Sequence, residues 1–87
     1  MTIFIYSLRD LKGSFIQPHC DINDDTARRN FAYAVNNGND IMGFAPQDFQ
    51  LYKIAEFETT NGKINPIIPM ELVADGVSVI GVKWYEK

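Results

Sequence analysis

The 87-residue sequence is short of most of the groups that do chemistry: it has one cysteine, one histidine and one tryptophan. A lone Cys20 excludes an intrachain disulfide. One thiol and one imidazole, Cys20 and His19, fall short of a zinc site, which takes three or four ligands commonly set in spaced pairs. Positive charge is also scarce, since 8 basic residues face 11 acidic ones and the net charge is -3. That balance removes the simplest case for nucleic-acid binding, a basic domain drawn to phosphates, and leaves only a local basic patch. The longest early apolar stretch, Ile3 to Tyr6, is too short for a signal peptide or membrane span, and no basic segment precedes it. A cytoplasmic location is expected, which a lone cysteine also fits. Neither G-x-G-x-x-G nor the Walker pattern occurs, so no phosphate loop is legible.

What remains is ordinary globular composition, 46% apolar and 22% charged, which argues against disorder. One domain over residues 1–87 is expected. A core this small supplies little net stability, and small chains often gain the rest from disulfides, metals or self-association. With the first two excluded, a homo-oligomer is expected.

Thr2 to Leu8, TIFIYSL, has apolar groups at both alternating sets of positions and predicts a central strand covered on both faces. Arg9 to Asn23 holds Gly13 and Pro18, shows no sustained period and reads as a long loop. Asn23 or Asp24 can cap a helix whose apolar stripe is Ala27, Phe31, Ala34 and Val35. It should end near Asn36 or Asn37, where Asn-Gly accepts the left-handed cap conformation. Gly38 to Asp48 reads as a second loop, unusually apolar at Ile41, Met42 and Phe44. Phe49 to Glu58 alternates as a strand, with Phe49, Leu51, Ala55 and Phe57 on one face, Tyr52 and Ile54 on the other, and Lys53 as an outlier on the apolar face. Asn61-Gly62 then suits a tight hairpin, and Lys63 to Ile68 would return antiparallel, at an edge or stopping early because Pro66 has no N–H to donate. Val77 to Tyr85 reads as a last strand. The expected fold class is α+β: an antiparallel or mixed sheet of about four strands packed by one main helix.

Each candidate site has a plainer explanation beside it. His19 and Cys20 are adjacent, whereas catalytic dyads normally join residues distant in sequence. Asp21, Asn23 and Asp25 open like a calcium loop, but Thr26 and Ala32 stand where such a loop needs Gly and Glu, and helix capping accounts for the acids. Arg28 and Arg29 could contact phosphate, yet Asp24 and Asp25 lie four residues before them, at the spacing of helical ion pairs. Tyr6, Tyr52, Phe57 and Trp84 could stack unpaired bases, although strand aromatics more often fill a core. No enzymatic activity, cofactor or metal is expected.

The order of short motifs is more specific: IYS-x-R-D-x-K, then N-D-x-x-A-R-x-F with V-N near the helix end, then D-x-x-LY-x-I-x-E-F and N-G, spanning Ile5 to Gly62. This order resembles the small nonstructural protein of the gokushovirus branch of microviruses, tiny single-stranded DNA phages in which it is the product of the fifth open reading frame. LYKIAEFETTNGKI is the strongest piece and departs from the family's pattern at Ala55, where Gly is usual, and Glu58, where Asp is usual. The resemblance implies an accessory in viral DNA replication and packaging, acting in the host cytoplasm on DNA, the replication complex or the procapsid. Arg9, Asp10, Lys12, Arg28 and Arg29 are the candidate contacts to nucleic acid or a partner, through charge-assisted bonds. The alternative is a protein-only adaptor that uses the apolar loop Ile41 to Phe44 and never touches DNA.

Overall fold

The TIFIYSL run forms β1 (Thr2–Asp10), followed by β2 (Phe15–Asp21), α1 (Asp24–Asn37), a single helical turn α2 (Ile41–Phe44), β3 (Phe49–Glu58) and β4 (Ile64–Asp75). The computed structural model describes residues 1–81. Its four strands make one antiparallel sheet of order β2-β1-β3-β4, so the expected α+β class holds and β1 is central.

Three local readings are corrected. The expected loop from Arg9 to Asn23 holds β2, an exposed edge strand whose hairpin with β1 is closed by Asp10, which accepts the Lys12 N–H at 3.0 Å. Pro18 and a register shift opposite Ser7 hide its strand period. Gln17 occupies the shift with φ 51°, a left-handed conformation uncommon for a residue with a side chain. The expected second loop contains α2, whose first turn is capped by the Asp40 side chain. Of the expected last strand, residues 77–80 form turns and residues 82–85 lie outside the described residues.

α1 starts where expected. Asn23 Oδ1 accepts the Thr26 N–H at 2.8 Å, satisfying one of the unpaired donors of the first turn. Its end differs from expectation, because Gly38 closes it in an extended conformation (φ -76°) and not in the left-handed one. The helix lays Ala27, Phe31, Ala32 and Val35 on Tyr6 and Leu8 of β1, Phe49 and Leu51 of β3 and Ala74 of β4, with Met42 and Val79 completing the core. Among the described residues only one sheet face carries a packed layer of this kind; on the other face of β1, expected to be covered as well, Ser7 is buried and Ile3 and Ile5 are half-buried.

β3 keeps its expected limits but not its expected faces. Opposite residues of an antiparallel pair share a face, and Tyr6 pairs with Lys53 while Ile5 pairs with Ala55. The extra residue, Ile54, shifts the phase, so Phe49 and Leu51 face α1 whereas Ala55 and Phe57 face away from it. At the β3–β4 hairpin Gly62 takes the positive φ (76°) foreseen for Asn-Gly. β4 lies at the edge, as Pro66 requires, but runs on to Asp75.

Candidate nucleic-acid interface

The sheet face turned away from α1 is the broad uncovered surface of the described residues. Strand alternation places Ile3, Ile5, Ser7 and Arg9 of β1 on it, and the registers add Phe15 and Cys20 from β2, Gln50, Tyr52, Ala55 and Phe57 from β3, and Ile64, Pro66 and Leu72 from β4. It divides into two ends. Toward the β3–β4 hairpin the side chains are aliphatic or aromatic and uncharged. Toward the β1–β2 hairpin stand Arg9, Phe15, Gln50 and Tyr52. The Arg9 guanidinium lies 5.3 Å from the centre of the Phe15 ring, and Phe15 meets Tyr52 edge to face at 5.8 Å. Between them the Ser7 hydroxyl donates to the Ile16 carbonyl at 2.8 Å, fixing the bulged edge strand to β1. A cation over an aromatic ring beside a second ring offers both parts of a single-strand site, a π-face for a base and a positive charge for its phosphate.

Negative charge is gathered on the other side. Asp21 and Glu56 pair with Phe4, Glu58 with Thr2, and Glu71 with Lys53, all on the face that carries α1, and Asp24 and Asp25 open that helix. Asp75, opposite Gln50, is the one carboxylate in register with the uncovered face, and it accepts the Ser78 N–H at 2.9 Å. The acidic total therefore describes the helix side more than the sheet face.

At the centre of the helix side the Lys53 ammonium lies 3.2 Å from Asp24, 3.1 Å from Glu71 and 4.8 Å from the Phe4 ring centre, while the buried Tyr6 hydroxyl donates to Asp24 at 2.7 Å. Burial pushes the Tyr6 phenol far above its usual range, and the bond to Asp24 adds to the shift. Burial also works to raise the Asp24 carboxyl, but the bonds from Tyr6 and Lys53 outweigh it and hold the group below the usual carboxylate range. For Lys53 burial works downward, and its bonds to Glu71 and Asp24 outweigh it, holding the ammonium above its usual value. At the sheet end, the N-terminal ammonium 2.8 Å away, then the Thr60 N–H, hold Glu58 down to about 2.

These shifts fix the expected pH dependence. A carboxyl depressed in the folded state contributes stability above its unfolded value, near 4, and loses it as pH falls through the folded value; the raised Tyr6 and Lys53 lose theirs as pH climbs past about 10. The melting temperature is thus expected to be level from about pH 5 to 9 and to fall on both sides. A melting series by circular dichroism checks this, and a level profile from about pH 7 down to pH 2 would contradict it.

The residues singled out in the sequence are not brought together. Arg9 is on the uncovered face and Lys12 in the turn beside it, where Asp10 serves to close the hairpin. Arg28 is on the helix side, bonded to Asp25 at 2.9 Å at i,i+3 spacing, with its Nε directed to the Val73 carbonyl; Arg29 is exposed on the same helix. Asp24 engages Lys53, not an arginine four residues on. His19 pairs with Tyr6 and Cys20 with Ile5, so the two point to opposite faces and cannot act as a dyad. Within the D-x-N-x-D run, Asn23 is the helix cap and Asp21 accepts from Asn30, and no metal-holding cluster is present among the described residues. Of the four suspected platform aromatics, Tyr6 is core, Tyr52 and Phe57 are on the uncovered face and Trp84 lies outside the described residues. Phe15 was missed because it falls in the segment read as loop. The paired apolar residues Phe15-Ile16 were its one signal.

Among the described residues no helix is long and apolar enough to cross a membrane. Among the described residues, fold and face together define a small α+β protein with its helices on one side of the sheet and none on the other. The family model described as Phage ORF5 protein matches residues 3–79. The chain belongs to that family and is a phage protein. Comparison with curated proteins and with solved structures found no match.

Proposed function

We propose that this phage protein is a non-enzymatic accessory of viral DNA replication and packaging, of the gokushovirus type, and that it binds single-stranded DNA through the uncovered face of its sheet. The observation that carries the reading is the Arg9–Phe15–Tyr52 cluster, a stacked cation and two rings on a face whose one carboxylate in register, Asp75, is bonded to the Ser78 N–H. Unpaired bases stack on such rings whatever their sequence, at about 1–3 kcal/mol per base. The family membership supports a phage accessory, and the gokushovirus resemblance supports replication and packaging as the setting.

The test is fluorescence anisotropy with labelled single- and double-stranded oligonucleotides over a salt series. Tyr52→Ala is expected to weaken single-strand binding about tenfold, and Arg9→Ala to weaken it while lowering the salt slope by about 0.7. Binding that is absent, or unchanged by both substitutions, would refute the reading. In that event the adaptor reading takes its place, and one observation favours it: on α2, Met42 is buried in the core while Ile41 and Phe44 stand 58% and 85% exposed. An exposed aromatic on a capped turn is suited to a partner's apolar pocket.

A further inference from the structure

The helix side of the sheet is not closed along its whole length. Between β2 and α1 a cleft of about 280 Å³ runs inward to a floor of Leu8, Phe31, Met42 and Leu51, all of them core side chains. A chain of this size has little core to leave open, and water on such a floor finds no hydrogen-bond partner. At the mouth stand Gln17, His19 and Asn30. An apolar floor beneath a few polar groups is the build of a small-ligand site. We propose that this cleft binds an adenine base.

Size, rim and charge together select that base. A closed apolar cavity of about 150 Å³ holds benzene, so this cleft has room for two fused rings. The mouth is preset by bonds made outside the cleft. Asn30 Nδ2 donates to Asp21 Oδ1 at 3.3 Å, which orients its amide. His19 Nδ1 donates to the Gln17 carbonyl at 2.9 Å and its Nε2 lies 3.6 Å from Asp21, so both nitrogens are engaged and what His19 gives the cleft is its ring. Gln17 is held at the mouth in the left-handed conformation (φ 51°), a strain of the kind that gathers at ligand sites. Among the described residues no carboxylate, lysine or arginine lines the cleft. Guanine is met by arginine or lysine at O6 and N7, whereas an amide, one donor beside one acceptor, matches the N6 and N7 edge of adenine. Gln17 and Asn30 supply two amides.

The base packs its rings on the apolar floor and keeps one hydrogen-bonding edge at the Asn30 amide. Leu8 and Leu51 face α1, so the cleft lies across the sheet from Arg9, Phe15 and Tyr52. It stands or falls separately from the DNA reading, because free adenosine and an adenine within a strand present the same base.

Equilibrium dialysis of the full chain against adenosine tests the cleft. A dissociation constant of about 0.1 mM is expected. Guanosine, cytidine and indole, which has two rings but no matching edge, are expected to bind about tenfold more weakly or worse. Ala34→Leu, which fills the cleft from α1, is expected to weaken adenosine binding by about tenfold or more, and Asn30→Ala, at an exposed position, by about fivefold. Tyr52→Ala, across the sheet, is expected to leave it unchanged. Circular dichroism shows whether each variant folds, and if Ala34→Leu does not, Asn30→Ala reads the same site. A thymine oligonucleotide carrying one adenine, compared with an all-thymine one, separates the sources. A gain from the adenine that the cleft variants remove marks a base in a strand, and adenosine binding without that gain marks the free nucleoside. No uptake of adenosine at about 1 mM, equal binding of indole or guanosine, binding indifferent to the folded cleft variants, or binding lost on Tyr52→Ala would each overturn the proposal.

Discussion

Leu51→Ala is expected to lower the unfolding free energy by about 3 kcal/mol. Leu51 is 1% exposed and lies between Leu8 and Ala74 in the register of the sheet, on the face covered by α1. Truncation forfeits the transfer energy of the lost methyl groups and leaves a space that the surrounding β1, β3 and β4 backbones, held by their ladders, can close only in part. A cleft of about 280 Å³ already borders the residue, lined also by Leu8, Phe31, Ala34 and Met42, so the new space joins an existing one. In a chain of this size 3 kcal/mol corresponds to a fall in Tm of about 15 °C. Thermal and urea unfolding would show it, and a change of less than about 1 kcal/mol would mean that the packing of this layer is looser than described.

Gly76→Ala is expected to cost as much, through the backbone. Gly76 is buried, and its N–H donates to the Phe49 carbonyl at 2.8 Å, tying the end of β4 to the start of β3. A Cβ built there would run into the Pro46 carbonyl, including its carbon at 2.7 Å. Main chain cannot rotate aside as a side chain does, so either the Gly76–Phe49 bond or the turn leading into β3 has to move. Overpacking of this kind costs about 1–3 kcal/mol, and the lost bond carries it toward the upper limit. Gly62→Ala is a useful comparison in the same unfolding experiment. Nothing lies near a Cβ at Gly62, and its penalty arises from the positive φ alone, about 1 kcal/mol. Equal losses at the two positions would rule out the close approach at Gly76.

The elements legible beforehand were those with a strong burial pattern. β1 and β3 carry their strand residues in the middle of the sheet, and α1 has both a side-chain cap at Asn23 and a stripe from Ala27 to Val35. β2 was illegible because an edge strand exposed along its whole length keeps no apolar period, and Pro18 reads as a breaker. α2 was hidden for a related reason: four residues are too few to show a helical period, and Gly43 lies within them.

The candidate site was legible only in pieces. Arg9 and Tyr52 were both noted, one as a charge and the other as a ring, but nothing local linked them. Ser7↔Tyr52 and Arg9↔Phe15 are register facts that join strands distant in sequence.

The amino-acid sequence by itself determined the fold class, the central strands, the capped helix and the resemblance to a phage family, because each rests on neighbours within a few residues or on the order of motifs. With Cys20 alone, it also excluded an intrachain disulfide. Only the tertiary structure decided which face is covered and where the charge lies. A single extra residue, Ile54, turns Ala55 and Phe57 from the core side to the uncovered side. A bulge exchanges faces without altering composition or hydropathy, since strand facing depends on how each residue is paired with its neighbour across the sheet.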